Sequence, residues 1–89
     1  MTCDSHKKTL TNYNGSLDDL SKELGDLHYQ TLTEFLVLLA DKIQVDGLKD
    51  MSAKRYNLAN SLFEAASLLR QASMQIDKAW EISKPFMTL

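Results

Sequence analysis

Few side chains in this sequence have the type and spacing that chemistry requires, and His28 is the best placed of them. It follows a row of leucines at helical spacing, where the phosphotransfer histidine of a helical bundle could lie. Such a histidine needs exposure and basic neighbours, whereas the nearest charged residues are Glu23 and Asp26. We therefore interpret His28 as a structural residue, partly buried and bonded to a neighbour.

The sequence does not support a metal site either. A carboxylate-bridged two-metal site in a helical bundle uses Glu-x-x-His pairs, but no glutamate of this chain has a histidine three residues later. Cys3 is the only cysteine, which excludes an internal disulfide and a Cys-rich zinc site. With only two histidines, no Ser/His/Asp or Cys/His arrangement is credible. We predict no catalytic residue, no metal, no cofactor and no small-molecule substrate.

One basic cluster could contact phosphate groups. It consists of Lys49, Lys54, Arg55 and Tyr56, with Lys42 close to it in the sequence. The acidic residues Asp41, Asp46 and Asp50 are interleaved with it, and the net charge of the chain is −2. A dedicated nucleic-acid binder usually carries a strong positive patch, so nucleic acid is an unlikely partner and this function is kept only as an alternative.

The elements that must position these residues are two long helices. Apolar residues recur at helical spacing in two segments that meet at Asp46-Gly47, which predicts an all-α protein: a long antiparallel helical hairpin with two helices of ~30 residues. The predicted parts are a flexible N-terminal arm (1–15), a helix (16–45), a turn (46–50), a helix (51–84) and an apolar tail (85–89). Ser16 is the predicted N-cap of the first helix, and Asp50, with Ser52 as the alternative, is that of the second. Gly47 is the predicted left-handed residue of the turn.

A turn at Gly47 fixes how the two helices would pair. It sets Leu38 beside Leu58 and Leu24 beside Ala72. The predicted seam of the second helix is Leu58, Leu62, Ala65, Leu69, Ala72, Ile76, Ala79 and Ser83. Gly25 would then lie inside the first helix, at a cost of about 1 kcal/mol relative to alanine. Close approach of the facing helix would explain a glycine there.

Self-association is the main expectation about function. The run Phe35–Ala40 is apolar at six successive positions, so it surrounds the helix with apolar side chains, and a single facing helix covers only one stripe of them. A second apolar row follows Tyr29, Leu32, Leu36, Leu39 and Ile43. We predict a homodimer that forms a four-helix bundle, with capture of a helical protein partner as the alternative. The predicted interface residues are Phe35, Leu36, Val37, Leu39, Leu62, Phe63, Leu68 and Leu69.

The C-terminal end carries a second candidate surface. Trp80, Phe86, Met87 and Leu89 form an apolar group around Pro85, which ends the second helix. This group either folds back on the open end of the hairpin, near Leu17, or serves as an anchor for a partner. Folding back is the favoured prediction, and the partner anchor is the alternative.

Charge is unevenly divided between the two helices. Residues 16–47 hold seven acids and two bases (−5), and residues 48–89 hold six bases and four acids (+2). This division favours antiparallel pairing, both within a hairpin and between hairpins. The sequence shows no signal peptide and no apolar run long enough to cross a membrane, which predicts a cytoplasmic protein. The predicted function is a non-enzymatic protein–protein interaction module: an adaptor, small chaperone or regulatory subunit.

Overall fold

The computed structural model describes residues 6–86, which form three α-helices and a final 3-10 turn. Helix α1 spans Leu17–Gly25, α2 spans Tyr29–Ser52, α3 spans Tyr56–Ser83, and the 3-10 turn spans Lys84–Phe86. Helices α2 and α3 pack against each other, so the predicted helical hairpin is confirmed. No described helix is long and apolar enough to cross a membrane.

The first predicted helix is two helices, and its predicted bounds of 16–45 are wrong. Ser16 is the N-cap, as predicted, and its Oγ accepts a hydrogen bond from the Asp19 N–H at 3.0 Å. Helix α1 then ends at Gly25, and α2 starts after the N-cap His28. A Cβ on Gly25 would meet nothing within 4 Å, so this glycine does not accommodate a facing helix. It ends α1 instead.

The turn of the hairpin lies further along the chain than the sequence predicted. Residues 46–50 are helical, and α2 continues to Ser52. Lys54 takes the left-handed conformation, with φ 64°. The Arg55 N–H donates to the Asp50 carbonyl at 2.8 Å and the Lys54 N–H to the Met51 carbonyl at 3.0 Å. These two bonds form a Schellman motif that ends the helix, with lysine where glycine is usual. Asp50 therefore stabilises the end of α2 rather than the start of α3, whose N-cap is Arg55.

Gly47 has a packing role inside α2. It is buried, and the Phe63 ring of α3 lies directly over its Cα. A Cβ built on Gly47 would come within 2.6 Å of Phe63 Cε1 and 2.8 Å of Cδ1, which is closer than real Cβ contacts. The glycine therefore provides the space that an aromatic side chain of the facing helix occupies.

Small residues form the contact between α2 and α3. Ala40 and Gly47 are buried on α2, and Ala59, Ala66 and Ser73 are buried on α3, seven positions apart on each helix. This heptad spacing keeps the small side chains on one stripe, so the two backbones come close together. Among residues 6–86 no large side chain is fully buried. The bulky residues lie beside this seam rather than in it.

The register of the hairpin corrects the predicted pairs. Asp41 is ion-paired with Arg70 and Gly47 lies under Phe63, so the helices pair around the 53–55 turn. Leu38 and Leu58 do not face each other in this register, and both are exposed. Ala72 is exposed too, and its neighbour Ser73 takes the inward position. The predicted seam of helix two is therefore displaced by one residue from the observed seam.

The ends of the described chain bury little of their surface. Residues 6–15 contain no helix, and none of the α1 residues is buried. Helix α3 ends just before Pro85, as predicted, and Phe86 is 75% exposed. The described part of the tail therefore does not pack over Leu17, which is 70% exposed. Met87, Leu89 and residues 1–5 of the predicted arm lie outside the described residues.

Candidate interaction surface

An ion pair defines one broad side of the hairpin. Arg70 Nη1 lies 2.9 Å from Asp41 Oδ1, across the seam between α3 and α2. Since an α-helix turns by about 100° per residue, this pair fixes which side chains share its side of the hairpin. We call this side the ion-pair face. Besides Asp41 and Arg70, it carries the side chains of Val37, Gln44, Leu48, Tyr56, Asn60, Phe63, Ser67, Met74 and Asp77.

The opposite side, which we call the apolar face, has a very different composition. The same helical geometry places on it the α2 residues Leu32, Phe35, Leu36, Leu39 and Ile43 and the α3 residues Leu58, Leu62, Ala65, Leu69, Ala72 and Ile76. Phe35, Leu58 and Ala72 are exposed, and the others are half-buried. Near the turn, this face carries Asp46 at its edge and the buried Asp50, which follows Leu36 and Ile43 at heptad spacing and is ion-paired with Arg55. Two adjacent helices thus present one continuous apolar surface.

The predicted interface residues separate into three groups. Phe35, Leu36, Leu39, Leu62 and Leu69 lie together on the apolar face. Val37 and Phe63 lie on the ion-pair face, where the Phe63 ring packs over Gly47. Leu68 lies on the outer edge of α3 and is 55% exposed.

The sequence prediction missed Leu58, Ala65 and Ile76 as surface residues because it assigned them to the hairpin seam. The signal that could have found them is the pattern of small residues. Ala59, Ala66 and Ser73 are seven residues apart. Small residues at heptad spacing can form the close contact between two helices in place of the large ones.

The shape of the molecule explains why the apolar face is not covered. The chain measures 53 × 29 × 14 Å along its principal axes, and the smallest dimension corresponds to a single layer of helices. Stable domains usually bury their apolar side between two layers. Helix α1 does not supply the second layer, because it makes no extensive contact with α2 or α3, although its Leu20 and Leu24 are half-buried. The apolar face therefore lacks a second layer within the described part of the chain.

The second candidate surface surrounds Trp80 at the open end of the hairpin. The His28 ring lies against the Trp80 indole, with 4.4 Å between ring centroids and an angle of 57° between planes. Lys84 Nζ lies 5.6 Å from the indole centroid, within reach of a cation–π interaction. The indole Nε1–H is buried and has no hydrogen-bond partner among the described residues. Trp80 is thus enclosed by a histidine and a lysine rather than by Leu17.

His28 has two structural roles in this arrangement. Its Nδ1 accepts a hydrogen bond from the Gln30 N–H at 3.1 Å, which caps the start of α2. Its ring also packs on Trp80. Because Nδ1 acts as the acceptor, the neutral imidazole carries its proton on Nε2. This agrees with the interpretation of His28 as a residue bonded to a neighbour, although it is more exposed than predicted.

The basic cluster at the turn is partly neutralised by acidic residues. Arg55 Nε and Nη2 each lie 2.8 Å from Oδ1 of the buried Asp50. Lys42 Nζ lies 2.7 Å from Asp46 Oδ1, and the hydrogen bond from Lys42 lowers the pKa of that carboxyl. The charge of Lys49 also helps to lower the pKa of Asp46. Most basic side chains of this cluster therefore face an acidic neighbour, which gives a weakly positive end rather than a phosphate-binding groove.

The acidic helix α1 is joined to the open end of the hairpin through Asp26, Leu27 and His28. Asp18 and Asp19 occupy its first turn, and Lys22 pairs with Asp18 at 2.9 Å. Glu23 accepts a hydrogen bond from the Tyr13 hydroxyl. Desolvation first, and then the charge and hydrogen bond of Glu23, raise the pKa of Tyr13. Helix α1 therefore carries a net negative charge, with Asp18, Asp19 and Glu23 against Lys22.

Within residues 6–86, no three His, Cys, Asp or Glu side chains come together as a metal site would require. The chain matches no protein-family model, no curated protein and no solved structure at a significant level.

Proposed function

We propose that this chain is a non-enzymatic protein–protein interaction module that acts as a homodimer, in which two hairpins join through their apolar faces into a four-helix bundle. In the cytoplasm such a dimer would serve as an adaptor, a small chaperone or a regulatory subunit. The observation that carries the proposal is the single helical layer, in which no large side chain of the described residues is fully buried.

A second copy fits this surface for two physical reasons. Leaving several leucine and isoleucine side chains partly in water forfeits a large part of the ~1.5–3 kcal/mol that full burial of each contributes. A facing copy presents the same apolar face, so both surfaces are covered at once, as in a C2 interface. The broad side of the chain measures 53 × 29 Å, which leaves room for the roughly 800 Å² that each partner buries in a specific interface.

Light scattering combined with a pair of matched variants tests the proposal. The unchanged protein should have about twice the chain mass of 10.1 kDa at micromolar concentration. Leu69→Glu places a charge in the middle of the apolar face and should shift the mass to that of the monomer. Ser67→Glu adds the same charge two residues away on the ion-pair face and should leave the dimer intact. A monodisperse, folded monomer in the unchanged protein would contradict the homodimer and favour the alternative of a helical protein partner.

A further inference from the structure

The two helices of the hairpin contribute rows of different shape to the apolar face. On α3, large side chains alternate with alanines in the order Leu62, Ala65, Leu69, Ala72, Ile76 and Ala79. The row on α2 consists of large side chains, which are Leu32, Leu36, Leu39 and Ile43. Because protein interiors are close-packed, a row of large side chains packs best against a row that leaves spaces between its own. The α2 row therefore fits the α3 row of a second copy better than it fits another α2 row.

Both rows end in a charged residue at the turn. Asp50 continues the α2 row and Arg55 continues the α3 row, each at heptad spacing. The Asp50 side chain is 7% exposed, whereas the Arg55 side chain that bonds to it is still 36% exposed. A guanidinium that loses its water without gaining polar partners destabilises a complex. A copy that covers this end of the apolar face must therefore bring polar groups to Arg55.

The N-terminal segment reaches the same end of the hairpin at its outer edge. The charge of His6 acts there on Asp46, which is also ion-paired with Lys42. Helical geometry places Asp50 and Arg55 nearer to the seam between α2 and α3 than Asp46. The charges that a second copy would meet in the middle of the face are thus those of Asp50 and Arg55.

Two identical hairpins can join through this face about a two-fold axis in two ways. With the axis along the helices, both turns lie at the same end and each α2 faces the α3 of the other copy. With the axis across the helices, the turns lie at opposite ends, α2 faces α2, and α3 faces α3. In this second arrangement the turn end of one copy meets the open end of the other. Asp50 would then be covered by the first turns of the other α2, where Leu32 lies.

We propose that the two hairpins of the homodimer lie with both turns at the same end, each α2 against the α3 of the other copy, and that their Asp50–Arg55 pairs meet there in one polar layer. This inference rests on the proposed homodimer and specifies its orientation. In the layer each Arg55 has the Asp50 carboxylates of two copies to bond, and along the rest of the face the large side chains of α2 lie over the alanines of α3. Polar groups at one position of a helical interface select register and orientation.

The distance between the two turns of a dimer tests the orientation. In a full-length Cys3→Ser background, Ala53→Cys carries a nitroxide spin label on the exposed turn, and double electron–electron resonance measures the distance between the two labels. With both turns at the same end, the labels should lie less than about 30 Å apart, because neighbouring helices pack roughly 8–10 Å apart. With the turns at opposite ends, the 28 residues of α3 would separate them by at least about 40 Å. Dilution with unlabelled chains should remove the signal, which identifies it as a distance between copies.

The outcomes separate this inference from the proposed dimer. A dimer mass with the long distance alone overturns the orientation and leaves the homodimer standing, whereas a monomer mass overturns both.

A second pair of variants tests the polar layer itself. Asp50→Leu/Arg55→Leu replaces the ion pair of the apolar face by apolar side chains, so the labelled dimer should acquire the long distance beside the short one. Asp41→Leu/Arg70→Leu removes the ion pair of the opposite face and should keep the short distance alone. A single short distance in both variants overturns the role of Asp50 and Arg55 in selecting the orientation.

Discussion

The Phe63 ring occupies the position that a side chain on Gly47 would need. This contact explains a glycine in the middle of a long helix, where glycine costs about 1 kcal/mol relative to alanine. It also sets the register of the hairpin, because the ring fits over α2 only where no Cβ is present. A residue that looks like a helix terminator in the sequence is therefore a packing determinant.

Replacement of the two helical glycines by alanine should give opposite results. Gly47→Ala places a Cβ against the Phe63 ring, so it should lower the free energy of unfolding by about 1–3 kcal/mol relative to Gly25→Ala. Gly25→Ala meets open space and should be neutral or slightly stabilising. Urea denaturation of both variants measures the difference. Equal stability would show that Phe63 moves aside without cost, and Gly47→Ala/Phe63→Leu provides the double-mutant test.

Gly47 also shows what the sequence could and could not predict. Two amphipathic segments of similar length predict a helical hairpin because periodicity depends on many residues at once. The position of the turn depended on one glycine, and glycine is common both after helix ends and at close helix contacts. The actual turn uses Lys54 in a left-handed conformation, which lysine adopts rarely. No property of Lys54 itself marks that position, so the turn and the pairs of facing residues were wrong.

The apolar face was predictable in part for a related reason. The row Leu32, Leu36, Leu39 and Ile43 is visible in the sequence, and these residues lie on that face. On α3 the large apolar residues were assigned to the seam, because large residues usually form helix contacts. The heptad Ala59, Ala66 and Ser73 allows closer approach of the two backbones, and it displaces the leucines outward by one position.

Replacement of Lys54, which has a left-handed backbone conformation, by glycine should stabilise the hairpin. Lys54→Gly removes the steric cost of a Cβ at φ 64° and keeps the Schellman hydrogen bonds. We expect a gain of about 0.5–1 kcal/mol in the free energy of unfolding. The gain is this small because glycine also gives the unfolded chain more conformational freedom, which offsets part of the relieved strain. Lys49→Gly, an exposed helical position a few residues earlier, should instead lose about 1 kcal/mol. Thermal unfolding compares the two variants, and a loss in both would contradict the assigned turn conformation.

The two arginine ion pairs should differ in their effect on stability. Arg55 bonds to a carboxyl that is buried, since the side chain of Asp50 is 7% exposed. Arg55→Met leaves this carboxylate without its partner and should cost about 1–3 kcal/mol, below the full cost of a buried pair because Arg55 is partly solvated. Arg70→Met breaks an exposed pair and should cost less than about 1 kcal/mol. Similar losses in both variants would contradict the structural role of Asp50.

Asp46 should contribute a small pH dependence near the turn. Its hydrogen bond to Lys42 lowers its pKa below the ordinary value of 3.8. A carboxyl with a lowered folded-state pKa stabilises the folded protein above its unfolded value, and this contribution is lost as the pH falls through the folded value. Lys42→Met should raise the pKa of Asp46 in an NMR titration and weaken this dependence. An unchanged titration of Asp46 would mean that the ion pair does not form in solution.

The fluorescence of Trp80 reports on its contact with His28, because Trp80 is the only tryptophan in the chain. His28→Asn keeps a good N-cap for α2 but removes the ring that lies 4.4 Å from the indole. We expect a red shift of the emission with little change in stability, since water replaces the imidazole while the helix start stays capped. Phe86→Ala is the matched control, because Phe86 is 75% exposed and should leave the emission unchanged. A shift in the control and none in His28→Asn would mean that the tail, rather than His28, encloses Trp80. That result would support a C-terminal end in which Trp80 and Phe86 fold back on the hairpin.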